Sequence, residues 1–118
     1  MSRKVLIVDD AVVDRQNLAT ILTAAGHSVL LAETGEQALV RARNDRPDMI
    51  LMDVNMPDLD GFATTRRLKA DAATRDIPVV FVTGKNQKAD VAWGRMLGAK
   101  GYVAKPYTPE QILAQVAP

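Results

Sequence analysis

Apolar positions in this chain follow two alternating patterns. Lys4–Val8 (KVLIV), Met49–Met52 (MILM) and Pro78–Val82 (PVVFV) are short unbroken apolar runs, the mark of strands buried on both faces of a parallel sheet. Between them apolar residues recur at helical spacing. Leu18, Ile21, Leu22 and Ala25 line one face of a helix expected over Val13–Ala25, which Gly26 ends. His27–Ala32 reads as the next strand. Thr34 and Gln37 have the spacing of a capping box for a helix that turns Ala38, Leu39 and Ala42 inward, and Pro47 closes that unit. After MILMD, the turn formers of Asn55–Gly61 precede a helix from Phe62 to Ala70, with Phe62 and Leu68 as core contacts. Asp71–Ile77 is a polar connector. A helix from Gln87 to Leu97 stops at Gly98, Gly101–Ala104 is a last strand, and Thr108–Pro109 caps a final helix that reaches Val116. Strands alternating with helices imply βαβ units, right-handed crossovers and a doubly wound parallel sheet, an α/β three-layer sandwich.

Composition narrows the function. At 118 residues, 47% apolar and 25% charged, the chain suits one domain over residues 1–118 that buries its own core. Fifteen Lys and Arg against 14 Asp and Glu leave a net charge of +1, without the basic excess of a nucleic-acid binder. With no cysteine there is no disulfide scaffold, thiolate metal site or cysteine nucleophile. No apolar stretch has the length of a membrane span, so the expectation is a cytoplasmic protein with no membrane partner.

In a doubly wound sheet, ligands bind beyond the carboxyl ends of the strands. Asp9 and Asp10 follow the first strand, Asp53 follows MILM, Thr83 follows PVVFV, and Lys105 follows GYVA. One Asp after a strand is usually a cap or turn residue, Thr83 alone would be a strand-end hydroxyl, and Lys105 alone a solvated lysine. Their convergence on one edge points elsewhere. Crowded carboxylates need a cation, and an all-oxygen set without His or Cys suits Mg²⁺, which leaves positions for phosphate oxygens.

These residues resemble the receiver domain of bacterial two-component response regulators, including the stand-alone chemotaxis type. The matching pieces are Val8-Asp9-Asp10, Met52-Asp53-Val54-Asn55-Met56-Pro57 with Asp60-Gly61, Thr83-Gly84, Gly98-Ala99 with Tyr102, and Lys105-Pro106. The resemblance spans nearly the whole chain and implies a flavodoxin-like (βα)5 fold of strand order 2-1-3-4-5. It implies that Asp53 is the phosphoacceptor for a histidine kinase or histidine phosphotransfer protein. Asp10, Asp53 and the carbonyl of Asn55 would hold Mg²⁺, with Asp9 acting through a coordinated water. Lys105, Thr83 and the amide of Gly84 would bind the phosphoryl oxygens. A cis peptide before Pro106 is also implied. Such a protein catalyses only its own phosphorylation and dephosphorylation.

Signal output would follow from Thr83 and Tyr102, which in the family move together and remodel the α4–β5–α5 face, here Lys88, Val91, Arg95, Tyr102, Ala104 and Gln111. The face would bind a downstream target protein, or the domain would act as a phosphate sink, as a monomer able to pair on phosphorylation. The chain length suits a receiver alone, so a signal would leave through a protein surface. Trp93 reads as a packing residue, Met49, Met56 and Met96 as core or edge filler, and His27 as a surface or turn residue. Ala11 stands where the family often has Ser, so the first helix is expected to use Asp10 or Asp14 as its cap. Lys85 and Asn55 would lie near the path of water to an acyl phosphate. Two alternatives are a haloacid-dehalogenase-like Mg²⁺ phosphohydrolase, whose second Asp is replaced here by Asn55, and a receiver-like binding module that works without phosphorylation.

Overall fold

A computed structural model describes residues 2–117. Met1 and Pro118, the ends of the expected domain, lie outside the described residues. Five strands, β1 (Lys4–Val8), β2 (Ser28–Ala32), β3 (Met49–Met52), β4 (Val79–Thr83) and β5 (Gly101–Ala104), alternate with five helices. The helices are α1 (Val12–Ala24), α2 (Gly35–Asp45), α3 (Gly61–Ala70), α4 (Lys88–Met96) and α5 (Pro109–Val116). Every strand pair is parallel and the order is β2-β1-β3-β4-β5, as the resemblance implies. The chain leaves β1 toward β2 on one side and returns to β3 on the other. The carboxyl ends of β1 and β3 therefore flank the point where strand order reverses.

The unbroken apolar runs are explained by burial on both faces. Leu6, Val8, Ile50, Met52, Val79 and Phe81 pack with Ala38, Ala42 and Leu68 of α2 and α3. Their neighbours Val5, Ile7, Met49, Leu51, Val80 and Val82 point the other way, toward Leu18, Leu22, Ile112 and Val116 of α1 and α5. β4 begins one residue later than the pattern suggests and includes Thr83. Pro78 has no amide to donate, although its carbonyl accepts from Ile50 at 2.9 Å.

Capping chemistry mostly follows the residue types. Thr34 accepts from the Gln37 amide at 3.0 Å, and Asp60 accepts from the Ala63 amide at 2.8 Å. On α5, Thr108 accepts from the Gln111 amide at 3.2 Å while the Gln111 side chain accepts from the Thr108 amide at 2.8 Å. Thr108→Ala is expected to cost about 1 kcal/mol in a urea melt. Gly26 and Gly98 take left-handed φ values of 90° and 95° just past α1 and α4.

Four expectations are corrected. Neither Asp10 nor Asp14 caps α1: its Ala11 N-cap has no side-chain bond, and it is Asp9 that accepts from the Ala11 amide, at 2.9 Å. α1 starts at Val12 and ends at Ala24. Met96 is 78% exposed and fills no core, unlike Met49 and Met56. Trp93 is 37% exposed, with the guanidinium of Arg66 5.5 Å from its ring centroid, so it is only partly a packing residue. His27 does behave as a turn residue, its Nδ1 accepting from the Arg3 amide at 3.0 Å. Among the described residues no helix is long and apolar enough to cross a membrane.

Candidate functional site

The three aspartates and Lys105 sit where a strand hands over to a loop, and Thr83 is the last residue of β4. Asp9 follows β1 and is 1% exposed, Asp53 follows β3 and is 6% exposed, and Asp10 beside them is exposed. Register carries them together: the Asp53 amide donates to the Val8 carbonyl at 2.9 Å. One carboxylate oxygen from each of Asp9, Asp10 and Asp53 lies within 4.8 Å of the others. Carboxylates this close repel one another, and such a donor set fits a hard divalent cation.

Lys105 reaches across from the end of β5. Its ammonium donates to Asp9 at 2.8 Å, Asp14 at 3.0 Å and Asp53 at 3.2 Å, which uses all three of its protons. Burial pulls the ammonium down, but the Asp9 and Asp14 hydrogen bonds and the Asp53 charge outweigh it and hold Lys105 above the ordinary lysine value. Burial holds the Asp9 carboxyl above its ordinary value, partly offset by Lys105 and the Ala11 amide. The other Asp53 oxygen accepts from the Asn55 amide at 3.2 Å. The peptide between Lys105 and Pro106 is cis.

Thr83 is fully buried; its carbonyl accepts from the Lys105 amide at 3.0 Å, while among the described residues its hydroxyl makes no hydrogen bond to Asp53 or to the Lys105 ammonium. Its Oγ accepts from the Lys85 amide at 3.2 Å, which leaves its own proton free to donate. The carbonyl of Lys85 accepts from the Tyr102 hydroxyl. One residue, Lys85, thus joins Thr83 to Tyr102 through its two backbone groups. The Lys85 ammonium leans toward Asp90 of α4, at 3.4 Å. Tyr102 is half-buried with its ring 5.5 Å from that of Phe81, and burial with the charges of Asp90 and Asp53 pushes its hydroxyl up to about 12. Gly84 is exposed with open space beside it. Lys88, Val91 and Arg95 lie on α4, Tyr102 and Ala104 on β5, and Gln111 on α5.

Two residues escaped the sequence. Asp14, half-exposed on the first turn of α1, is a third partner of Lys105, and only its place one turn after Asp10 hints at this. Arg15 is 7% exposed; it donates to the Asp9 carbonyl at 2.7 Å and pairs with Glu33 at 3.3 Å. Its alignment with Leu18 and Leu22 on the inward face of α1 was the available signal.

Comparisons with known proteins agree with this geometry. The response regulator receiver domain family matches residues 5–117. Protein PilH of Pseudomonas aeruginosa is 43% identical over 113 residues, covering 96% of this chain and 93% of that protein. Other curated relatives are longer, and the chain spans 45% of the probable transcriptional regulator ycf27 of Porphyra purpurea. Among solved structures, the chemotaxis protein CheY4 of Vibrio cholerae superposes with a TM-score of 0.91 at 33% identity, over 98% of this chain and 97% of that one. The receiver domain of the sensor histidine kinase PA1611 of P. aeruginosa, described with a magnesium ion coordinated in its active-site cleft, gives 0.88 at 30% identity, over 97% and 93%. The paired acidic residues after β1, the aspartate after β3 and the lysine after β5 therefore stand in a chain that belongs to the response regulator receiver domain family.

Proposed function

We propose that this chain is a phosphorylation-switched signalling domain whose acceptor is Asp53. The observation that carries this is the Asp53 carboxylate itself, almost fully buried, held by Lys105 at 3.2 Å and grouped with Asp9 and Asp10 at the sheet's reversal point. A carboxylate fixed at both oxygens is aimed rather than free to rotate. One of its oxygens attacks the phosphorus of a phosphohistidine on a kinase or phosphotransfer protein. The P–N bond breaks, the imidazole nitrogen keeps the electron pair and takes a proton from solvent, and Asp53 is left as an acyl phosphate.

Asp9, Asp10, Asp53 and the Asn55 carbonyl would hold Mg²⁺, which when bound supplies positive charge to the transferring phosphoryl group. Lys105 supplies a fixed ammonium for the phosphoryl oxygens. Thr83 donates its free hydroxyl proton and Gly84 its amide. When Thr83 turns toward a phosphoryl oxygen, its bond to the Lys85 amide is given up, and Tyr102 feels this through the Lys85 carbonyl. The α4–β5–α5 face is then the output, read by a downstream target protein. The domain works as a cytoplasmic monomer, with no nucleic-acid partner, and acts catalytically only on itself. With family membership shown, the haloacid dehalogenase alternative is set aside.

Incubation with acetyl phosphate and Mg²⁺ tests the proposal by intact mass. Wild type is expected to gain one phosphoryl group, and Asp53→Ala none. Equal labelling of the two proteins, or no labelling of wild type, would sink it.

A further inference from the structure

Lys105 rests on three carboxylates, and only two of them belong to the set that fits a divalent cation. The third, Asp14, accepts from the ammonium at 3.0 Å, nearer than Asp53 at 3.2 Å, yet lies outside the group formed by Asp9, Asp10 and Asp53. The proposed chemistry gives it no task. A half-exposed aspartate paired with a lysine is most often a surface ion pair of little consequence. Two further contacts of α1 argue against that reading. The buried Arg15 donates to the Asp9 carbonyl at 2.7 Å, and Asn17 donates to the Tyr107 hydroxyl at 3.0 Å. The first turns of α1, and Asp14 with them, are thereby fixed against both the exit of β1 and the segment that follows Lys105.

Beside a bound divalent cation the balance around the ammonium changes. The charge on Asp9 and Asp53 is then shared with the cation, and Lys105, itself positive, is repelled by it. Asp14 alone keeps its full pull. A way out of the site lies next to the ammonium, because Asp14, Asn17, Lys105, Pro106 and Tyr107 line a surface pocket of about 350 Å³. A lysine head released by its partners turns to water there. We propose that Asp14 is a positioning residue: it keeps the Lys105 ammonium in the site while a divalent cation occupies the three aspartates, so that a fixed positive charge meets the incoming phosphoryl group. Only the last step of this role rests on the reading of Asp53 as the phosphoacceptor. Retention of Lys105 beside a cation needs no phosphoryl group.

The test is the NMR signal of the Lys105 ammonium in the full chain carrying isotope-labelled lysine, assigned by its loss in Lys105→Met. Ammonium protons held by carboxylates exchange slowly with water, and released ones exchange too fast to be seen. Without Mg²⁺ the signal is expected in wild type and in Asp14→Ala alike, because Asp9 and Asp53 remain as partners. At saturating Mg²⁺ it should persist in wild type, vanish in Asp14→Ala and return in Asp14→Glu. Asp14 is half-exposed, so both variants should fold, and circular dichroism checks this. Acetyl phosphate labelling at the same Mg²⁺ should slow about tenfold in Asp14→Ala, as when a residue that orients a site's own groups is removed, and should recover in Asp14→Glu. Added to Lys105→Met, Asp14→Ala should slow labelling no further. Loss of the wild-type signal on adding Mg²⁺, its survival in Asp14→Ala, or equal slowing by Asp14→Ala in the two backgrounds would overturn the proposal. Wild type that gives the expected signals but takes no phosphoryl group would instead overturn the reading of Asp53, and would leave Asp14 as the residue that holds Lys105 beside a bound cation.

Discussion

Lys105→Met is expected to slow phosphoryl acceptance from acetyl phosphate about 100-fold, the usual effect of removing one charge-stabilising donor from a reacting oxyanion. The same substitution should tighten Mg²⁺ binding about tenfold, because the ammonium now resting on Asp9 and Asp53 competes for their charge. The two effects have opposite signs, which separates loss of a charge donor from general damage to the site. Stability should fall as well. Without the ammonium, Asp9 and Asp53 are buried anions with no cation partner, and breaking such a pair on one side costs about 3 kcal/mol.

The pH dependence follows from the direction of the lysine shift. A group whose folded pKa is raised contributes stability that is complete below its unfolded value and is lost only as pH rises through the folded value. Lys105 therefore stabilises wild type evenly across neutral pH and weakens only in strong alkali. In Lys105→Met the Asp9 carboxyl, which burial already holds above its ordinary value, loses the ammonium that opposes this and takes up a proton more readily, so the deficit should shrink as the pH is lowered from neutral toward the carboxylate range. Urea melts of both proteins across that interval check it. A phosphorylation rate within threefold of wild type would remove Lys105 from the proposed chemistry.

The alternation of strands and helices could be read because β1, β3 and β4 are buried on both faces and so appear as unbroken apolar runs. β2 at the sheet edge is partly exposed, and its pattern is accordingly weaker. The site residues were visible for a related reason, since a parallel sheet delivers every strand end to one edge. What stayed hidden depends on distance across the fold. Asp14 meets Lys105 only because α1 packs back beside β5's exit, a contact between residues 91 apart in sequence. The placement of Met96 failed for another reason: on a short helix, an apolar residue at helical spacing can belong to either of two apolar faces, and α4 has both.

Gly61 is a case where close approach, not backbone conformation, dictates the residue, and Gly61→Ala is expected to cost about 3 kcal/mol or more. A Cβ at this position would lie 2.2 Å from the Asp53 carbonyl oxygen, 2.8 Å from the Val54 Cα and 2.9 Å from the Asp53 carbonyl carbon. All three are backbone atoms, so no side chain can swing aside. The Gly61 amide also donates to the Val54 carbonyl at 3.0 Å, which pins the start of α3 against the exit of β3. Relief requires α3 to lift or the peptide after Asp53 to shift, and the second moves the proposed acceptor. Against a typical domain stability of about 5–15 kcal/mol, this is a large loss. Gly84→Ala is the matched comparison, because its Cβ would meet nothing within 4 Å and alanine keeps the amide proposed to bind a phosphoryl oxygen. It should change stability by less than about 0.5 kcal/mol and leave phosphorylation near wild type. Urea melts and acetyl phosphate labelling of the two variants side by side give the measurement. Gly61→Ala as stable and as active as Gly84→Ala would show that the β3–α3 junction yields, and that the aim of Asp53 does not depend on it.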